Sequence, residues 1–147
     1  MSSSRSLTAE ERLAIQRDVQ DLIFRFFLHL DEQEYDQLAQ LMAPSGTWLR
    51  NGALLKGPES VREAMRTRPV GFTTRHLITN IIFDCPDQNH AETTYYMTVF
   101  VHTGETRPTA PVPIDLPMHV SIFRQKFVLT PQGWRIAELS GVPTFHQ

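Results

Sequence analysis

One long apolar stripe near the start of the chain limits its fold more tightly than any other feature. Ile15, Val19, Leu22, Ile23, Phe26, Phe27 and Leu30 recur at three- and four-residue steps, the spacing that aligns side chains on one face of a helix. Thr8-Ala9-Glu10-Glu11 supplies the Thr-x-x-Glu pattern in which two side chains satisfy exposed backbone donors at a helix start. A helix over Thr8–Leu30 follows, and a stripe of four turns must be covered by whatever the rest of the chain builds.

That remainder reads as helix first and sheet afterwards. Glu32 to Met42 forms a second helix with Tyr35, Leu38, Leu41 and Met42 inward, stopped by Pro44-Ser45-Gly46. Thr47–Arg50 and Ala53–Lys56 flank Asn51-Gly52, a pair that tolerates positive φ and suits a two-residue hairpin. Gly57-Pro58-Glu59-Ser60 opens a third helix to about Thr67, with proline in the first turn where its missing donor costs nothing.

Arg75–Asp84, His90–Thr103, Met118–Leu129 and Gly133–Ser140 are rich in β-branched and aromatic residues and separated by turn-forming ones, so four long strands pair as a meander. Between the second and third of them, residues 104–117 hold Pro108, Pro111, Pro113 and Pro117. Those prolines exclude a central strand and leave a loop at the mouth of a pocket. The expected architecture is α+β, a cone-shaped fold of three helices packed on a strongly bent, mainly antiparallel six-stranded sheet enclosing a pocket. One domain over residues 1–147 is expected, with residues 1–7 disordered.

Charge and cysteine content narrow the function. A formal net charge of -2 provides no basic field for a phosphate backbone, so nucleic acid is not an expected partner. Cys85 stands alone and cannot form an internal disulfide, and the start Met-Ser-Ser-Ser-Arg-Ser lacks an apolar signal core, so a cytoplasmic protein is expected. No apolar run approaches the roughly 20 residues that span a bilayer. The expected partners are a small-molecule ligand and a second copy of the chain, a homodimer with a trimer as the alternative, joined through Tyr96, Phe100 and Ile122 on the outer face of the sheet.

The six histidines show no short metal-site spacing, and there is no phosphate-cradling glycine loop or nucleophile elbow. Acid–base chemistry without metal or cofactor remains. Asp31 closes the first helix, and His76 lies in Arg75-His76-Leu77-Ile78-Thr79-Asn80 on the strand face shared with Ile78, Asn80 and Ile82. If that face looks toward the helices, Asp31 can hold one ring nitrogen of His76 while the other serves as a general base. Equally, Asp31 stands where an aspartate caps a following helix, and His76 can be an ordinary core histidine.

Leu30-Asp31, Glu34-Tyr35-Asp36-Gln37-Leu38, Gly46-Thr47-Trp48, Lys56-Gly57-Pro58-Glu59, Thr74 to Asn80 and Gly133-Trp134-Arg135-Ile136, in that order, resemble the SnoaL-like branch of the nuclear-transport-factor-like superfamily. Within it the chain is similar to scytalone dehydratase, bile-acid 7α-dehydratase and hexachlorocyclohexane dehydrochlorinase. The resemblance implies a dyad of Asp31 and His76 and a cofactor-free lyase or isomerase, dehydratase-like, acting on a small apolar cyclic molecule. It also implies pocket positions for Phe26, Arg50, Tyr95 and Phe123, with Tyr96 replacing Tyr95 if the strand slips by one residue; His119 and Ser121 share strand parity with Phe123, Asn80 shares the face of His76, and Trp48 completes the expected pocket. Phe26 departs from the tyrosine or lysine that the dehydratases carry one turn before the aspartate, and Phe123 from the asparagine of scytalone dehydratase. Thr74–Asn80 also resembles the small subunits of aromatic-ring-hydroxylating dioxygenases, non-catalytic partners of an iron-bearing subunit, although the chain is short for such a subunit. A pocket that only binds a ligand is a third reading.

Overall fold

The computed structural model describes residues 5–145, and for residues 116–118 the backbone alone. The first helix, α1 (Ala9–Asp31), has the expected capping box: Thr8 accepts from the Glu11 amide and Glu11 reaches back to the Thr8 amide. Its buried face is Val19, Leu22, Ile23, Phe26, Phe27 and Leu30, ending in Asp31. Residues 1–4, most of the stretch expected to be disordered, and His146 lie outside the described residues. Arg5, inside that stretch, is paired with Glu11 at 2.7 Å.

The second helix is shorter than its pattern implied. α2 spans Tyr35–Gln40, and Met42, Ala43 and Pro44-Ser45-Gly46 belong instead to the first strand, β1 (Met42–Arg50). Proline is tolerated there because the pairing is irregular between Met42 and Thr47, where a missing donor breaks no regular ladder. Gly46 is needed because the backbone runs so close to the last strand that a Cβ would sit 2.3 Å from the Ile136 carbonyl oxygen.

The hairpin to β2 (Ala53–Lys56) turns on Asn51 (φ 51) and Gly52 (φ 79), the positive-φ pair of a tight hairpin turn. α3 (Gly57–Arg66) follows with Pro58 in its first turn. β3 (Phe72–Asp87), β4 (His90–Thr103), β5 (Asp115–Thr130) and β6 (Gly133–Pro143) are longer than expected at several ends. β5 takes in Asp115-Leu116-Pro117, so the proline-rich loop is residues 104–114, not 104–117.

The sheet has the order β2-β1-β6-β5-β4-β3. The β3–β6 segments pair antiparallel as a meander, and β1 joins β6 in parallel. This is an α+β fold of three helices on a six-stranded, mostly antiparallel, open sheet. Irregularities in β3–β4, β4–β5 and β5–β6 pairing let long strands bend around the helices. The α1 stripe meets Tyr95, Met97, Val99, Phe127, Ile136 and Leu139 of the sheet, with Val61 and Met65 of α3 in the same core. Among the described residues no helix is long and apolar enough to cross a membrane.

One irregularity overturns an expectation. Thr79 opposes Tyr96 and Ile82 opposes Thr94, so β3 takes three steps while β4 takes two. The extra residue falls at Asn80, which has a φ of 56. Side-chain alternation changes phase there. Thr74, His76 and Ile78 face inward, then Ile81 and Phe83, whereas Asn80 is exposed and Ile82 is 70% exposed.

Candidate active site

Asp31 ends α1 beside the start of β3, where three donors converge on its two carboxylate oxygens. The His76 backbone N–H donates to Oδ2 at 2.9 Å, His76 Nδ1 to Oδ1 at 2.5 Å, and the Thr74 hydroxyl to Oδ1 at 2.8 Å. Asp31 is not a helix cap: Glu34 occupies the N-cap of α2, and no side chain caps that end. Burial pushes the Asp31 carboxyl up, but the bonds and charge of His76, with help from Thr74, outweigh it and hold the group below the usual carboxylate range. An ionised Asp31 accepts from Nδ1–H, which leaves Nε2 as the basic nitrogen. Nε2 has no hydrogen-bond partner among the described residues, and the ring packs against Phe27 at 5.0 Å between centroids.

A second layer fixes this pair. Arg68, in the link between α3 and β3, donates to the Leu30 carbonyl (2.8 Å), the Tyr35 hydroxyl (3.2 Å) and Thr74 Oγ1 (2.9 Å). Through Thr74 it ties the end of α1 to the strand that carries His76. The pair therefore sits where two rigid elements are pinned together, which limits its freedom to drift.

His76 opens onto a cavity of about 740 Å³ between α1 and the inner face of the sheet, within the size range of small-molecule sites. Phe27, Trp48, Met97, Val99 and Phe123 give it mostly apolar walls. Arg50, Arg68, His119 and Ser121 supply polar groups. Among the described residues no three His, Cys, Asp or Glu side chains converge as metal ligands.

A family model for the SnoaL-like domain matches residues 11–140. The chain belongs to the SnoaL-like family. That places it in the nuclear-transport-factor-like superfamily and accounts for the helix and strand order described above. No curated protein matches the sequence. Among solved structures, this SnoaL-like domain is similar to hexachlorocyclohexane dehydrochlorinase LinA-type3 from Novosphingobium barchaimii LL02, with a TM-score of 0.80 and 16% identity over 95% of this chain and 93% of that one. It is similar also to a proposed scytalone dehydratase from Novosphingobium aromaticivorans DSM 12444, with a TM-score of 0.74 and 15% identity over 94% and 89% of the two chains. A protein of unknown function with a cystatin-like fold from Nostoc punctiforme gives a TM-score of 0.71 and 20% identity over 95% of each chain. At such identities the likeness is one of fold.

Of the pocket positions expected from sequence, Trp48, Arg50, His119, Ser121 and Phe123 share the cavity with His76. Phe26, Asn80 and Tyr95 do not. Phe26 is fully buried, its ring edge-on to Phe27 and Trp48; one step further around the helix, Phe27 takes the cavity wall. Asn80 is turned out by the extra residue in β3. Tyr95 faces inward, as expected, and Tyr96 outward, but Tyr95 lies beneath the cavity floor. Its ring stacks on Phe123 at 5.8 Å and its hydroxyl donates to Gln125 Oε1 at 2.7 Å, while burial raises its pKa well above the ordinary value.

Sequence reading missed Thr74 and Arg68 as parts of the site. Thr74 carries a usable signal, being two residues before His76 and so on the same strand face. Arg68 sits in a link with no periodicity to orient it.

Proposed function

We propose that this SnoaL-like protein is a cofactor-free lyase or isomerase of dehydratase type, acting on a small, largely apolar and cyclic molecule. One observation carries the reading. A histidine on an inward strand face donates Nδ1–H to an ionised carboxylate and lines a mostly apolar cavity, with its other nitrogen unpartnered among the described residues.

In the proposed step, Nε2 takes a proton from the carbon beside a carbonyl. The C–H electron pair becomes the new C=C bond, and a hydroxyl on the adjacent carbon leaves with its own bonding pair. The imidazolium that forms is stabilised by Asp31 and returns the proton to the departing oxygen, so that water is released. Phe27, and no acid, forms the cavity wall contributed by the turn of α1 before Asp31, so proton return by His76 spares the site a separate acid. Apolar walls keep bulk water from the basic nitrogen, and His119, Ser121, Trp48, Arg50 and Phe123 contribute to holding the ligand.

The test is a panel of cyclic β-hydroxy ketones followed by enone absorbance, with wild type and His76→Ala compared. The expected loss in the variant is at least about a hundredfold in kcat, the scale of positioned general-base catalysis. Undiminished turnover in a folded His76→Ala protein would leave the cavity as a binding or subunit feature.

A further inference from the structure

Two guanidinium groups, those of Arg50 and Arg68, share the cavity with His76, and neither pairs with a carboxylate of the described residues. Arg50, at the end of β1, lies over the Trp48 ring at 5.6 Å and makes no hydrogen bond or ion pair with the described residues. Arg68 spends donors on three neutral oxygens, those of Leu30, Tyr35 and Thr74. Burial, and then repulsion from Arg68, lowers the pKa of Arg50. The carboxylates around the cavity are already engaged: Asp31 by His76 and Thr74, and Asp115 by the Thr103 amide, with His102 Nδ1 at 3.8 Å.

Like charges held together in a partly desolvated site are costly unless an anion joins them. The remaining wall is apolar and aromatic, which disfavours a ligand charged along its whole length. We propose that the natural ligand carries a carboxylate, gripped by Arg50 and the free part of the Arg68 fork, while its ring body lies against Phe27, Trp48 and Phe123 toward His76. The inference deepens the reading of this cavity as a ligand site and rests on it. A planar carboxylate matches a guanidinium fork. Arg68 is locked in place by its three bonds, whereas Arg50 is free to close on the anion. Anchoring one end of the ligand selects which C–H bond is presented to Nε2, so the two arginines determine specificity.

The test uses the full chain and two probes of nearly equal shape, 2-naphthoate and 2-naphthamide, titrated by calorimetry. The expected result is that 2-naphthoate binds at least about tenfold more tightly, the scale of one charge-assisted contact. Arg50→Gln should erase most of that preference with little change in melting temperature, since Arg50 ties no other element, and Arg50→Lys should restore part of it. His76→Ala should keep the preference. Equal binding of the two probes, or an unchanged preference in Arg50→Gln, overturns the carboxylate inference alone. Failure of both probes to bind at millimolar concentration overturns the ligand-site reading and this inference with it.

Discussion

Asp31 accepts three donors on two oxygens, and this separates it from the helix cap that its position in the sequence equally allowed. An asparagine can cap a helix about as well as an aspartate, but here it would turn one of two acceptors into a donor facing donors. Because the folded carboxyl is held below its ordinary value, its contribution to stability is present above the unfolded pKa of about 3.9 and is lost as pH falls through the lower folded value. Denaturant melts of wild type and Asp31→Asn should therefore differ by about 1–3 kcal/mol at neutral pH and converge below about pH 4. A constant difference down to pH 2 would contradict the carboxylate's assigned role. The places of Asp31 at a helix end and His76 on an inward strand face were legible from pattern, which left their pairing open against a helix cap and a core histidine; the family resemblance favoured the pair. Phe26, Asn80 and Tyr95 were misplaced because which inward residue reaches the cavity, and not the core beneath it, depends on packing between elements that no periodicity encodes.

α1, the β1–β2 hairpin, α3 and the four long strands follow from capping, turn and alternation signals that act within a few residues. The short α2 and the early start of β1 do not. Leu38-Ala39-Gln40-Leu41-Met42 has helical composition, but Met42 opposes Ile136 of β6, and a parallel pairing to the far end of the chain ends the helix. The bulge at Asn80 escapes for the same reason, since nothing near it in sequence marks the register of β4. Gly46 carries the matching constraint in β1. Gly46→Ala places a Cβ 2.3 Å from the Ile136 oxygen, with backbone on both sides, and should destabilise the protein by about 1–3 kcal/mol in chemical denaturation. An alanine variant as stable as wild type would mean that β1 and β6 do not approach so closely.

The helices cover one face of the sheet, and the other presents Tyr96 opposite Ile122, 47% and 39% exposed, with Phe100 half-buried nearby. We propose a homodimer through this face, so light scattering should give about twice 16.9 kDa at micromolar concentration. Tyr96→Glu, which sets a charge in the proposed contact, should shift the protein toward monomer. A monomeric wild type contradicts the proposal. The cavity lies on the opposite face, between α1 and the sheet, and the chemistry proposed for it depends on Asp31 and His76 acting as one unit. Residues that act together lose their effect together, so their replacements are not additive. The deciding measurement is a double-mutant cycle in kcat on the best cyclic β-hydroxy ketone, with folding of each variant checked by melting. His76→Ala and Asp31→Asn should each lower kcat by at least about a hundredfold, and the double variant should be little worse than His76→Ala. Near-normal turnover in Asp31→Asn, or losses that simply multiply, would contradict a catalytic dyad.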